Sequence, residues 1–277
     1  MTKRTSFSVI ICSIEAIKFA RASECYARLL AGHPNEIIGI HDARSLAEAY
    51  NRGIARSTGE IVIFSHDDIL ILDPDFAAKI AARHETYDIL GLVGTDNLIT
   101  ATWFGAGQPY LHGVVAHGKP GNPHLSLNVY GVHDWPVKNG IQAIDGFCMT
   151  STRKAAQSIG FDAATFDGFH LYDLDFSYSA FLAGFRLGVC CDIPVIHESA
   201  GNFGHQHLHY AERFVLKHID RLGQTSAAAI SGESPGRGAR YGEHQALLRA
   251  WEPDLLKRAT VAMCRDIPPG RLPPPQR

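Results

Sequence analysis

The stretch EIVIFSHDDILI, residues 60–71, places a histidine and two aspartates directly after an apolar run. The run IVIF has the length and the β-branched composition of a buried strand, and a second apolar run, ILIL, follows the polar residues. Ligand sites in open α/β sheets lie beyond the carboxyl ends of the strands. The polar residues His66, Asp67 and Asp68 are therefore predicted to belong to a binding site.

The chemistry of these three side chains favours a metal and phosphate site. Side chains alternate along an extended chain, so His66 and Asp68 are expected to share one side. A divalent cation bound with two nucleotide phosphates needs only one or two carboxylates, because water and phosphate complete its coordination. A cap on the following turn is the structural alternative for Asp67 or Asp68, and the pattern alone leaves both open.

Short apolar runs alternate with helical patterns over the first hundred residues. Strands are predicted at 7–12 and 36–40 before the IVIF strand, and at 88–94 after it. Strands that alternate with helices indicate βαβ units, so the sequence predicts an α/β fold with a mostly parallel sheet sandwiched by helices.

Two helix starts in this half carry sequence signals. Ser45 can cap a helix, and Glu48 stands at the capping-box spacing. Pro74 is predicted to be the first residue of a later helix, since proline suits that position. The helix between the first two strands is predicted at 17–30.

The second half is less regular. Residues 100–140 are rich in glycine, proline and aromatics and are predicted to form an irregular lobe. A strand and a helix are predicted from residue 141, and the later elements are a helix at 174–183, strands at 187–191 and 194–197, and a helix at 210–222. Residues 1–222 are expected to form one domain, and 223–277 a flexible connector, a C-terminal helix at 243–264 and a disordered tail.

The composition of the chain limits the kinds of partner and the cellular location that can be expected. The 277-residue chain is 45% hydrophobic with a formal net charge of −2, and it has no basic block that would favour nucleic acid. No apolar segment approaches the ~18 residues of a membrane span, and the N-terminal apolar run suits a strand better than a signal peptide. The cysteines are scattered without a CxxC pair, which is typical of core residues in a reducing compartment, so a cytoplasmic location is expected.

Four segments in this order resemble family 2 glycosyltransferases of the GT-A fold. An Asn-x-Gly helix, a Gly-Glu turn and an acidic motif after the third strand correspond to NRGIARSTGE and IVIFSHDDI. The donor-sugar strand and helix correspond to IDGFCMTSTRKAAQSIGFD, and the acceptor-side helix to FDGFHLYDLDFSYSAFLAGFRLGV. The strand whose last histidine completes the metal site corresponds to IPVIHESAG. The resemblance covers 7–222 and is greatest to a bacterial branch called the glycosyltransferase-like family.

This resemblance implies a metal-dependent, non-processive hexosyltransferase. It would move a sugar from a nucleotide-diphosphate donor, expected to be UDP-linked, to a hydroxyl of a glycan, a lipid-linked or a small-molecule acceptor, using Mn²⁺ or Mg²⁺. Peripheral association with the inner membrane is compatible with such acceptors. The implied residues are Asp68, His66 and His197 for the metal; Cys12, Ser13, Glu15, Asp42 and Asp67 for the nucleotide; Asp145 and Gly146 for the donor sugar; and Asp173 as the base of an inverting reaction.

Two departures from the family pattern concern the site itself. His66 stands where the first acid of the DxD motif is usual, and Tyr172 stands where a glutamate usually precedes the catalytic aspartate. Asp173 heads a predicted helix, whose dipole favours the ionised carboxylate, and we expect an ordinary ionised aspartate there. A helix cap is the structural alternative for Asp173, and Asp175 is expected to be structural or acceptor-binding.

Other polar and aromatic residues keep two interpretations each. His205, His207 and His209 are predicted to lie in a loop that closes over the nucleotide, with a zinc site as the alternative. Arg213 and Lys217 lie four residues apart and either bind the diphosphate or form a solvated helix face. The aromatic residues of the predicted lobe either stack on sugar or build a small core: Trp103, Tyr130, His133 and Trp135.

Three rival functions remain from the sequence. A non-catalytic protein that binds a nucleotide-sugar or a glycan is compatible with the missing glutamate and with His66. A metal hydrolase would use the histidine-rich segment. A nucleotidyltransferase is disfavoured, because CSIEAIKFAR after the first strand has no glycine for a phosphate loop. The sequence does not indicate an oligomeric state.

Overall fold

The computed structural model describes residues 4–118, 126–130, 136–199, 201 and 204–223. The predicted connector, C-terminal helix and tail lie outside the described residues, and so do His133 and Trp135.

The amino-terminal half follows the predicted alternation of strands and helices. Helices flank the strands in the order β1 (Phe7–Cys12), α1 (Ala16–Leu29), β2 (Asn35–Ile40), α2 (Leu46–Arg56), β3 (Ile61–Ser65), β4 (Ile69–Ile71), α3 (Phe76–Arg83), β5 (Ile89–Gly91) and β6 (Val93–Thr95).

The carboxy-terminal half adds seven strands and three helices to the described chain. A short 3-10 helix at Trp103–Ala106 leads into β7 (Leu111–His117), β8 (Ser126–Val129), β9 (Val137–Asn139), β10 (Ala143–Ile144), β11 (Cys148–Thr152), α4 (Arg153–Ile159), α5 (Tyr172–Leu182), β12 (Leu187–Cys190), β13 (Val195–His197) and α6 (His205–His218). The region 100–140, predicted to be irregular, thus contributes β7, β8 and β9.

The strands form two sheets. The larger sheet has the order β2-β1-β3-β11-β5-β12-β9. Five of these seven described strands run in one direction, since only β11 and β9 pair antiparallel with their neighbours. The second sheet has the order β10-β6-β7-β13-β4, with β8 paired to β7. The predicted α/β fold with a mostly parallel sheet is confirmed.

The predicted single strand at 88–94 is wrong, because the chain forms two strands that belong to different sheets. It leaves β5 at Gly91 and enters β6 at Val93. Glycine is needed on both sides of this change: a Cβ on Gly91 would lie 2.1 Å from Ile144, and one on Gly94 would lie 2.4 Å from the Ala143 carbonyl. The close approach of β10 therefore accompanies the bend.

Local signals fix α2 against the sheet. Ser45 Oγ accepts a hydrogen bond from the Glu48 N–H at 3.1 Å, which confirms the predicted cap. A Cβ on Gly53 would lie 2.3 Å from Ile10, so this glycine lets α2 lie close against β1. Asn51 donates to the Phe161 carbonyl at 2.7 Å and accepts from the Phe161 N–H at 2.9 Å, which ties α2 to the loop before α5.

Two predicted helix starts are wrong. The helix α3 begins at Phe76 rather than at Pro74, because Asp73 is buried and accepts from the Asp75 N–H at 2.9 Å, which makes a turn of that segment. The helix α6 begins at His205, so the predicted loop of His205, His207 and His209 is helical.

Candidate active site

The ends of two strands bring three potential metal ligands together. His66 and Asp68 follow β3, and His197 is the last residue of β13, in register with Ile69 of β4. Their ligand atoms lie within 4.8 Å of one another. Asp68 Oδ1 is 3.3 Å from His197 Nε2 and 3.9 Å from His66 Nδ1. Among the described residues this is the only such group of three or more histidine, cysteine and acidic ligands.

The electrostatics of the group suit a divalent cation. Burial alone would raise the pKa of Asp68, but hydrogen bonding and charge interaction with His197 and His66 hold it well below its usual value. Burial and the neighbouring His197 lower the pKa of His66, which favours the neutral imidazole that can ligate metal. Two imidazole nitrogens and one carboxylate oxygen are a donor set that fits Mn²⁺ and leaves coordination positions for phosphate or water.

Asp67 points to a different partner from Asp68. Its Oδ2 accepts a hydrogen bond from Ser13 Oγ at 2.5 Å, which joins the ends of β1 and β3. Ser13 is buried, whereas Glu15 is exposed and pairs with Lys18 at 2.8 Å. Burial raises the pKa of Cys12 to about 11, so its thiol stays protonated. These residues follow the ends of β1 and β3, at one edge of the sheet.

Asp42 lies beyond the end of β2 and is exposed. Its Oδ1 is 2.7 Å from Arg52 Nη2 of α2, and this hydrogen bond holds the pKa of Asp42 below its usual value. Sequence reasoning missed Arg52, although it is the middle residue of the NRG segment. Any ligand that uses Asp42 would meet a carboxylate already bound to a guanidinium.

Two carboxylates, Asp145 after β10 and Asp173 in the first turn of α5, are near enough for their charges to interact. Asp145 accepts from Trp103 Nε1–H at 2.8 Å and from the Phe147 N–H at 3.1 Å. Asp173 accepts from the Gly146 N–H at 2.7 Å. Burial, and then the negative charge of Asp145, raise the pKa of Asp173 to about 7. The expectation of an ordinary ionised aspartate was wrong, because burial outweighs the helix N-terminus.

Gly146 is held between two side chains of α5. A Cβ at this position would lie 2.4 Å from Tyr172 Oη and 2.5 Å from Asp173 Cβ. The absence of a side chain at Gly146 therefore allows the backbone to lie close against Tyr172 and Asp173. Leu171, which precedes them, has φ 62°, a left-handed conformation that costs a leucine about 1 kcal/mol. This backbone directs the first turn of α5 towards Gly146.

Tyr172 was noted from the sequence only because it stands where the family pattern has a glutamate. Its Oη lies 2.7 Å from His66 Nε2, so the first turn of α5 touches the metal-ligand group directly. The ring is buried and packs on Tyr50, with ring centroids 5.6 Å apart. A tyrosine after a left-handed residue gives no recognisable sequence signal, and the contact spans 106 residues.

The remaining candidate residues have partners other than His66, Asp68 and His197. Arg213 is 2.7 Å from Asp167, and Lys217 is 2.7 Å from Asp162. His207 packs on His170 with ring centroids 5.7 Å apart. Trp103 is buried and packs edge-on against Tyr130, at 5.0 Å between ring centroids. The core role predicted as one alternative for these aromatics is thus satisfied for Trp103.

Comparison with family models identifies the class of protein. The model described as "Glycosyltransferase like family" matches residues 8–218, so the chain belongs to this family. The family resemblance predicted from the motifs is confirmed. A comparison with curated proteins finds no match.

Comparison with solved structures identifies the fold. The chain is similar to a crystal structure of GalNAc-T7 with UDP, GalNAc and Mn²⁺, with 12% identity and a TM-score of 0.51, over 99% of this chain and 59% of that one. It is also similar to the mannosyltransferase PcManGT from Pyrobaculum calidifontis in complex with GDP-Man and Mn²⁺, with 14% identity and a TM-score of 0.47, over 96% of this chain and 86% of that one. The GT-A fold is confirmed.

The chain thus spans about three fifths of the length of GalNAc-T7 in that structure. Within the described ranges, no helix combines the length and the hydrophobicity needed to cross a membrane.

Proposed function

We propose that this protein is a metal-dependent glycosyltransferase that moves a sugar from a nucleotide-diphosphate donor to an acceptor hydroxyl. The observation that carries the proposal is the contact between His66 of the metal-ligand group and Tyr172, next to Asp173. It brings a candidate cation site and a candidate base onto adjoining elements of a chain that belongs to a glycosyltransferase family. A metal-dependent transferase that inverts the anomeric carbon needs both groups beside one substrate.

The metal would be held by His66, Asp68 and His197. The bound cation would offset the negative charge of the diphosphate that leaves. The mixed imidazole and carboxylate set favours Mn²⁺ over Mg²⁺, which prefers oxygen ligands alone. Mn²⁺ is also the cation in the similar structure of GalNAc-T7.

The nucleotide would occupy the edge formed by the ends of β1, β2 and β3. The candidate contacts there are Cys12, Ser13, Glu15, Asp42 and Asp67. Asp42 would accept a hydrogen bond from the N–H of a base such as uracil, with Arg52 holding its carboxylate in the ionised form. The UDP in the similar GalNAc-T7 structure supports a UDP-linked donor.

The chemistry would be carried by Asp173. As the acceptor oxygen forms its bond to the anomeric carbon, the bond to the diphosphate breaks and Asp173 takes the hydroxyl proton, with inversion at that carbon. A pKa of about 7 makes this carboxylate a stronger base than an ordinary aspartate while part of it stays ionised at neutral pH. Asp145 would contact donor-sugar hydroxyls beside it.

The test is a binding and turnover assay of the purified chain. Calorimetry with UDP and Mn²⁺ should show binding that EDTA abolishes and that Asp68→Ala removes. Incubation with UDP- and GDP-linked sugars should then give metal-dependent release of the nucleoside diphosphate. Binding without release or transfer for any donor, with a range of acceptor sugars present, would favour the non-catalytic binding protein. Unchanged UDP binding without Mn²⁺ would contradict the metal assignment.

A further inference from the structure

The hydroxyl of Tyr172 lies between a metal-ligand candidate and a backbone carbonyl. It is 2.7 Å from His66 Nε2 and 3.5 Å from the Gly146 carbonyl oxygen. A phenol has one proton to donate. Tyr172 can therefore donate to one of these two groups and must accept from, or merely contact, the other.

The direction of this pair of hydrogen bonds decides what His66 can do. A neutral imidazole carries its proton on one nitrogen only. If Tyr172 donates to His66 Nε2, the proton of His66 lies on Nδ1, the nitrogen that faces Asp68 at 3.9 Å. That nitrogen could then not bind a cation. If Tyr172 instead donates to Gly146, His66 Nε2–H donates to Tyr172 and the Nδ1 lone pair is free.

We propose that Tyr172 is a positioning residue that donates to the Gly146 carbonyl, accepts from His66 Nε2–H, and so directs the Nδ1 lone pair of His66 at a divalent cation beside Asp68. The proposal rests on the cation site of the proposed function. It explains how a tyrosine serves next to Asp173, where the family resemblance leads one to expect a glutamate.

The surroundings of Tyr172 fix its hydroxyl in place. Its ring is enclosed by Tyr50 and Phe161, at 5.6 and 6.2 Å between ring centroids. The backbone that starts α5 is held in a left-handed conformation at Leu171, which presents Tyr172 and Asp173 together. An acceptor that lies behind a metal-bound imidazole fixes the tautomer and the ring orientation of that ligand.

Gly146 joins this arrangement to the base. Its carbonyl lies at the Tyr172 hydroxyl, and its N–H donates to Asp173 Oδ2 at 2.7 Å. A single residue without a side chain therefore contacts both the group behind His66 and the carboxylate proposed as base. The space leaves no room for a Cβ, which would lie 2.4 Å from Tyr172 Oη.

The first test reads the tautomer of His66 in the metal-free protein. Long-range ¹H–¹⁵N NMR of ¹⁵N-histidine-labelled protein, with His66→Ala to assign the resonance, should show a proton on Nε2 and a bare Nδ1. A proton on Nδ1 would overturn the proposal, whatever the variants do.

The second test measures Mn²⁺ affinity by calorimetry for wild type and Tyr172→Phe. Loss of the partner behind a ligand typically weakens metal binding by roughly 10- to 100-fold, and we expect that range. Tyr178→Phe is the matched control: it removes another tyrosine hydroxyl of α5, which donates to the Arg221 carbonyl at 2.6 Å. This variant should bind Mn²⁺ like wild type.

The two proposals fail in different ways. If wild type binds no Mn²⁺, the cation site of the proposed function is wrong, and the role of Tyr172 as its positioning residue falls with it. If wild type binds Mn²⁺ and Tyr172→Phe binds it equally well or more tightly, only the role of Tyr172 is wrong. Weakening of the same size in Tyr178→Phe would show a general effect of α5 and would also overturn the proposal.

Discussion

Asp173 and Asp175 stand two residues apart on the first turn of α5, yet their surroundings are opposite. Asp175 is 2% exposed, accepts from His218 at 2.7 Å and lies 2.9 Å from Lys217. Asp173 accepts backbone hydrogen bonds and faces the carboxylate of Asp145, which helps to raise its pKa to about 7. One carboxylate is compensated by a lysine and a buried histidine, and the other is held near the point of protonation.

This difference suits Asp175 to a structural contact and Asp173 to its proposed role as the base. The partners of Asp175 come from the end of α6, and Lys217 also contacts Asp162 at 2.7 Å, so these residues fasten α6 to α5. A buried carboxylate without such partners contributes little to the stability of the fold. Its raised pKa suits it to accept a proton at neutral pH. We therefore expect substitutions at the two aspartates to affect different measurements.

Asp173→Asn should have the largest effect, and it should fall on chemistry. The amide cannot take the proton of the acceptor hydroxyl, and loss of a general base typically lowers the rate about 10²- to 10⁴-fold. Transfer from a responsive nucleotide-sugar should fall by that range while donor affinity and the far-UV circular dichroism spectrum stay unchanged. Near-full transfer would mean that another carboxylate, Asp145 first, acts as the base.

Asp175→Asn should show the reverse pattern. It leaves Lys217 and the buried His218 without their carboxylate, and removal of one partner from a buried pair costs about 3 kcal/mol or more. Urea denaturation should show a loss of that size in the free energy of unfolding, against less than about 1 kcal/mol for a typical surface change. Equal stability of the Asp173→Asn and Asp175→Asn variants would break the comparison.

The sequence predicts the features of the fold and of the candidate site that depend on local pattern. The polar run after IVIF predicts the metal-ligand edge, Ser45 with Glu48 predicts the start of α2, and the YDLD segment predicts a helix that starts near Asp173. These features depend on strand period, capping chemistry and segment order, which are all visible over a few residues.

The features that the sequence does not predict depend on contacts between residues far apart in the chain. The partners of Asp175 lie 42 and 43 residues away, and Tyr172 meets His66 across 106 residues. The pKa of Asp173 depends on burial and on Asp145, which no local pattern reports. The helix at His205 also escaped prediction, because its histidines were assigned to a loop that closes over the nucleotide rather than to the start of α6.

The fall of the transfer rate at low pH tests the environment of Asp173 directly. Because the pKa of Asp173 is raised to about 7, the ionised base is lost as the pH falls through that value, and transfer should fall with it. Asp145→Asn removes the like charge and should shift this limb to lower pH. Asp162→Asn is the control and should leave the limb in place.

The same pKa has a consequence for stability. A carboxyl whose pKa is higher in the folded protein than the usual 3.8 stabilises the fold at low pH, and this contribution is lost as the pH rises towards about 7. The wild-type free energy of unfolding should therefore decline between pH 4 and 7 relative to that of Asp173→Asn. A flat difference over this range would contradict the raised pKa.

Lys217→Met should have the smallest effect, and it tests which of the two partners, Lys217 or His218, compensates Asp175. The Lys217 side chain is 31% exposed, whereas that of His218 is 6% exposed, so solvent screens the lysine more than the histidine. Methionine keeps the apolar stem near the Phe166 ring, over which the ammonium lies at 5.5 Å from the centroid. Asp175 keeps its hydrogen bond from His218 in this variant. We therefore expect a loss of about 1 kcal/mol or less in the free energy of unfolding, and a smaller loss in 1 M salt.

Arg213→Met, which breaks the exposed pair with Asp167, gives the reference for a surface contact. A loss in Lys217→Met as large as that in Asp175→Asn would mean that the lysine, not the buried histidine, holds α6 to α5.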